Sequence, residues 1–101
     1  MSVGQTRFLE AAFDDLESAY RWYEEQRPGL GAEFVVAVEA AVASVLAFPE
    51  AQPVVHRDAR RFLIERFPYG LFYRLDRDGV IVVACLHAAR DPELRQLRLG
   101  R

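Results

Sequence analysis

"RRFLIERFPYGLFYRLDRDGVIVVACLH", residues 60–87, is the stretch whose reading decides the fold. Its β-branched and aromatic residues alternate with polar ones over 60–67 and 70–76, and 80–87 is apolar almost throughout. These runs read as consecutive strands separated by "PYG" and "DRDG"; the Asp-Gly pair suits a tight hairpin. The last run is apolar on both faces, with Val80, Val82, Ala84 and Leu86 on one and Ile81, Val83, Cys85 and His87 on the other. A strand of that kind is central and covered on both sides.

Upstream the period is helical. Residues 5–12, "QTRFLEAA", read as a short first strand. Asp14 and Glu17 have capping-box spacing and predict a helix start there. That helix runs to about Gln26, with Leu16, Ala19, Tyr20 and Tyr23 on one stripe. "RPGLG" at 27–31 breaks it, because proline cannot continue the ladder and glycine permits a tight reversal. Phe34, Val38, Ala41, Val42, Val45 and Phe48 then define a second, buried helix that Pro49 ends. So short a break makes the pair an antiparallel hairpin. The expected architecture is an α+β fold, β-α-α-β-β-β, with the hairpin packed on one face of a small, mainly antiparallel sheet. Residues 1–101 are one domain. The hairpin covers one face only, so the other is expected to stay apolar and cationic until a second protein covers it.

Composition narrows the function classes. Net charge is −2 and the isoelectric point about 5.7, unlike a general nucleic-acid binder. Its distribution is uneven: residues 1–50 hold three arginines against nine carboxylates, and residues 51–101 hold ten against six. Lysine is absent; arginine suits bidentate recognition of phosphate or carboxylate, though codon usage in a G+C-rich genome explains the bias more simply. The lone Cys85 forms no internal disulfide and fits a reducing cytoplasm. "MSVGQTRFLE" lacks the apolar core of a signal peptide, and "FVVAVEAAVASVLAF" is short for a bilayer span. The expectation is a cytoplasmic protein with no membrane partner. Cys85 and His87 lie two apart, but zinc needs three or four ligands and His56 sits in a loop, so no metal is expected. No phosphate-cradling glycine loop or nucleophile elbow is present, and no cofactor is implied.

"DLESAYRWYEEQRPGLGAEF", "FPEAQP" and residues 60–92, with "RFPYGLFYR" and "HAARDP" as the most specific parts, resemble the RelE/ParE superfamily of type II toxin–antitoxin toxins. The resemblance covers roughly residues 6–93 and implies a helical hairpin on an antiparallel sheet. It also implies a cognate antitoxin whose acidic C-terminal segment folds on binding. Function then divides. RelE-like members cleave messenger RNA on the ribosome without a metal; ParE-like members bind and poison DNA gyrase. A nuclease needs an acid, a base and phosphate clamps, for which Arg61, Arg74, His87 and Arg90 are the candidates. Arg60 and Arg61 point to opposite faces of their strand, so only one of them can share a site with Arg74. After His87 the chain offers "AARDPELRQLRLGR", without Tyr, His or Lys, which favours the ParE-like branch. For binding to antitoxin or target the candidates are Trp22, which lies off the core stripe at 100° per residue, and Arg60, Arg74 and Arg90. Arg74 is expected to pair with Asp76 or Glu65.

Overall fold

The computed structural model describes residues 5–89 and 92–100. Its elements are β1 (Gln5–Phe8), α1 (Glu10–Gln26), α2 (Leu30–Ala47), β2 (Val54–His56), β3 (Ala59–Leu63), β4 (Tyr69–Asp76), β5 (Gly79–His87) and α3 (Pro92–Leu99). One sheet runs in the order β1-β5-β4-β3-β2, with β1 parallel to β5 and the other pairs antiparallel. The expected α+β hairpin-on-sheet architecture is present, with β4 in the middle of the sheet and β5 interior between β1 and β4 over residues 79–82. Two elements go beyond expectation: the edge strand β2 and the helix α3.

α1 starts four residues before the expected capping box. Leu9 extends the parallel ladder by donating to Val82 O, then accepts from Phe13 N–H as the helix begins. Asp14 and Glu17 are therefore helix-interior, and no side chain caps the start. The turn into α2 is held from across the hairpin. Glu24 accepts from the Gly29 and Gly31 backbone N–H groups at 2.9 Å each, placing negative charge at the N-terminus of α2. Gly29 adopts φ 91°, a left-handed conformation natural to glycine.

Gly31 has a different reason to be glycine. A Cβ there would meet the Tyr20 ring at 2.7 Å and the Tyr20 carbonyl oxygen at 2.8 Å. Gly31→Ala must push the helices apart, so a loss of about 1–3 kcal/mol is expected in chemical denaturation. Tyr20, placed on the core stripe from spacing, is instead 38% exposed and packs against this crossing.

Ala12, Ala19 and Tyr23 of α1 and Phe34, Val38, Ala41 and Val45 of α2 bury against the sheet. They meet Leu71, Tyr73, Val80, Val82 and Cys85 in the main core. Phe67 packs edge-on against Tyr23 at 4.9 Å and Phe34 at 5.2 Å, a favoured aromatic geometry. The Tyr73 hydroxyl donates to Pro49 O at 2.7 Å, satisfying the one polar atom of a fully buried ring. α2 is less buried than its composition predicts, since Val35 and Val36 face solvent.

The face assignment of β5 needs correction. Phe72 pairs with Ala84 but Tyr73 with Val82, so Val83 is an extra residue in the ladder. Such a bulge shifts the alternation by one. Val80, Val82 and Cys85 consequently face the hairpin, while Ile81, Val83, Ala84 and Leu86 face the opposite side.

That opposite side is also not open. α3 lies on it and buries Leu99 against Ala59, Phe72, Val83, Ala84 and Leu86. The expectation of an apolar face awaiting a partner is thus overturned: the chain's own C-terminal helix seals it. Pro92 is the first residue of this helix, where its fixed φ and missing N–H are harmless.

Candidate functional site

α1 presents two flanks besides its buried stripe. Asp15, Ser18 and Trp22, at i, i+3 and i+7, share the flank that overhangs the end of β5. β1 pairs only with residues 79–82 of β5, leaving 83–87 as a free edge on that side. Cys85 and His87 fall at the positions whose backbone groups turn away from β4, as the Ala88 N–H bond to Pro68 O and the ladder alternation require. Part of this edge is already occupied. Asp15 accepts from Cys85 N–H at 2.9 Å, and Arg98 donates to Val83 O at 3.1 Å.

Beyond that point an open cleft of about 380 Å³ lies between α1 and the edge, lined by Trp22, Tyr23, Pro68, Tyr69 and His87. Trp22 is 52% exposed at its mouth, edge-on to Tyr23 with centroids 5.1 Å apart. His87 lies edge-on to Tyr69 at 5.4 Å. Its Nδ1 accepts from Ala89 N–H at 3.2 Å, which leaves Nε2 carrying the proton of the neutral ring. The Cys85 thiol faces inward; burial, then the nearby Asp15 charge, push its pKa up to about 12. It is a core residue without nucleophilic or ligand character at neutral pH. No group of His, Cys, Asp and Glu among the described residues is arranged to hold a metal ion.

The arginines singled out from sequence lie elsewhere. Arg60 donates to Glu50 O at 3.0 Å and Gln52 O at 2.7 Å, tying down the chain that leaves α2. Arg61, paired with Phe72, points to the α3 side of the sheet, its stem lying over Gly70. Arg74 is on that side too. It pairs with Asp58 at 2.6 Å and donates to Leu99 O at 2.6 Å, neutralising the carbonyl end of α3. Neither expected partner is used: the Asp76 carboxylate accepts from Asp78 and Gly79 N–H in its own turn and pairs with Arg7. The Arg74 hydrogen bond holds the Asp58 carboxyl below the usual carboxylate range. Arg90 falls outside the described residues.

His87 and the Arg61–Arg74 pair are therefore on opposite faces of the sheet, and of the binding candidates among the described residues Trp22 stands at the cleft while Arg60 and Arg74 do not. Sequence reasoning missed the pair that shapes the site. Arg98 Nη1 and Nη2 meet Asp15 Oδ1 and Oδ2 at 2.8 Å each, with side chains 20% and 15% exposed. The Asp15 hydrogen bond raises the Arg98 pKa further above its ordinary value. The two residues stand 83 apart in the chain, and no local spacing announces them.

Fold and site together define a small α+β protein with a helical hairpin on one sheet face, a helix on the other, and an aromatic cleft at the sheet edge. The model for the ParE toxin of type II toxin–antitoxin systems matches residues 6–92. The chain belongs to the ParE toxin family. Among solved structures it is similar to a chain from the chromosomal ParDE toxin–antitoxin system of P. aeruginosa, with a TM-score of 0.75 and 17% identity. That match covers 84% of this chain and 96% of the other, and shows the common fold. No curated protein matches the sequence.

Proposed function

We propose that this toxin acts by binding rather than by cleaving RNA: it inhibits DNA gyrase in the bacterial cytoplasm and is silenced by its cognate antitoxin. The observation that supports this reading is the placement of His87, Arg61 and Arg74, the candidate catalytic groups among the described residues. Metal-free RNA cleavage needs a proton-transfer group within reach of the phosphate clamps. Here the sheet separates His87 from Arg61 and Arg74, and Arg74 is committed to Asp58 and Leu99. What the cleft offers is recognition chemistry: a half-exposed tryptophan, a second aromatic layer, and a strand edge. Trp and Tyr are enriched in interface hot spots because they bury large areas with few rotors to freeze.

The antitoxin supplies a segment that folds on binding, and Trp22 is the residue it or the target covers in the cleft. Expressed alone, the chain is expected to arrest growth; co-expressed with its antitoxin it should not. Trp22→Ala is expected to weaken one of the two complexes by about 2 kcal/mol or more without changing Tm, since the ring is half exposed. Isothermal titration against purified antitoxin and gyrase identifies which. Unaltered affinity for both removes the cleft from the proposal, and a chain harmless without antitoxin removes the toxic activity.

A further inference from the structure

β2 is the outermost strand on its side of the sheet, and its free edge pairs with no other strand among the described residues. Arg61 N–H donates to Pro53 O at 3.3 Å, and Val54 pairs with Arg60. In an antiparallel ladder of that register the Val54 N–H and C=O turn away from β3. Both ends of the strand are fastened. Arg60 grips the Glu50 and Gln52 carbonyls before it, and His56 Nε2–H donates to Gly100 O after it. Val54 is 50% exposed, Val55 is 36% exposed, and Phe48 at the end of α2 is 72% exposed. Val54 faces the hairpin side, since its partner Arg60 pairs in turn with the core residue Tyr73.

The flanks of this edge carry opposite charges. Glu50, before the strand, and Arg57, after it, are both exposed and have no ion pair among the described residues. Asp58, beside Arg57 in the chain, is already held by Arg74 at 2.6 Å. The edge is thus apolar at its centre, acidic on one side and basic on the other. A partner of either net sign gains at one flank and loses at the other. The same surface turned through a two-fold axis meets opposite charge at both flanks, as an isologous contact demands.

We infer that this edge pairs with a second copy of itself, β2 against β2 in antiparallel register, with the two-fold axis at Val54. Two bonds cross the axis, each Val54 N–H donating to the Val54 carbonyl of the other copy. Arg57, three residues past the axis, comes opposite Ala51 of the other copy and within reach of its Glu50; the same pair forms again across the axis. Val54 packs beside Val54, with Val55 and Phe48 at the margin. The register shift between Val54 and His56 breaks the ladder just past the axis, so the pairing closes as a dimer instead of running on. So short a contact lies at the low end of specific interfaces, with a dissociation constant of about 10 μM to 1 mM. The inference uses the sheet edge alone and does not depend on the gyrase reading.

Sedimentation velocity of the full chain, loaded from about 5 μM to about 1 mM, is expected to show the mass rising from monomer toward dimer and no further. Val54→Lys sets like charges together at the axis and is expected to weaken association by at least about tenfold. Glu50→Arg and Arg57→Glu each place like charges face to face and should weaken it about fivefold. The double exchange, Glu50→Arg with Arg57→Glu, should return to within about twofold of wild type, since it only reverses the two flanks. All three positions are exposed, so far-ultraviolet circular dichroism and Tm should stay unchanged in every variant. In amide NMR spectra residues 52–57 should shift with concentration while the Trp22 indole stays fixed. A monomer at the highest loading, assemblies larger than a dimer, or single variants that associate like wild type would each overturn the inference. So would a double exchange no better than the single changes, or concentration shifts centred on Trp22 instead of β2.

Discussion

Asp15→Ala is expected to cost about 2–4 kcal/mol, somewhat below the range for breaking a fully buried ion pair, because both side chains keep partial exposure. The substitution leaves Arg98 without its bidentate acceptor and Cys85 N–H without a partner at the end of the short β1 pairing. It also releases the contact that fastens α3 to α1 across the sheet edge. Asp15→Asn keeps an acceptor for Cys85 N–H but not the charge, so it should fall between wild type and alanine. Urea denaturation of Asp15→Ala, Arg98→Ala and the double variant checks this. The double variant should lose much less than the two single losses combined, the signature of a direct coupling. Strict additivity would show that α3 is held by something else.

Phe72→Ala is expected to cost about 3–5 kcal/mol, the range for emptying a fully buried aromatic site. Phe72 is 0% exposed and carries the small core beneath α3, with Leu99 packed on it and the Arg95 guanidinium 5.9 Å from its ring centre. For a domain of this size that is a large share of the total stability. The expected readout is a lower denaturation midpoint with an unchanged slope, and faster amide exchange in α3 than in β5. Leu99 lies on the same site from the other side, so Leu99→Ala should reproduce the exchange pattern with a smaller loss.

Much of this fold can be read in the chain because its longest elements keep their periods. The hairpin announces itself through three- and four-residue apolar spacing and the Pro-Gly break, and β3 to β5 through alternation and the Asp-Gly turn. What escaped reading had no period to show. β2 is only Val54–His56, too short to alternate, and α3 has few apolar residues and a polar composition, so it reads as a tail. The Val83 bulge is invisible in a run where every residue is apolar, yet it exchanges the faces of Ala84 and Cys85. The site was legible in part. Trp22 follows from helical geometry, since 100° per residue carries it off the stripe of Ala12, Ala19 and Tyr23. The arginine roles did not follow, because their partners are backbone carbonyls of distant residues. Arg60 closes on Glu50 and Gln52, and Arg74 on Leu99. An arginine-rich sheet that looks prepared for a phosphate is here largely fastening its own chain.

The most direct measurement compares the purified toxin and its His87→Ala variant in two reactions, gyrase acting on supercoiled DNA and message engaged on ribosomes. Binding as the mode of action requires that the unaltered toxin inhibit gyrase and that both proteins leave the message intact. Cleaved message with wild type, lost on His87→Ala in a protein of unchanged Tm, would contradict it.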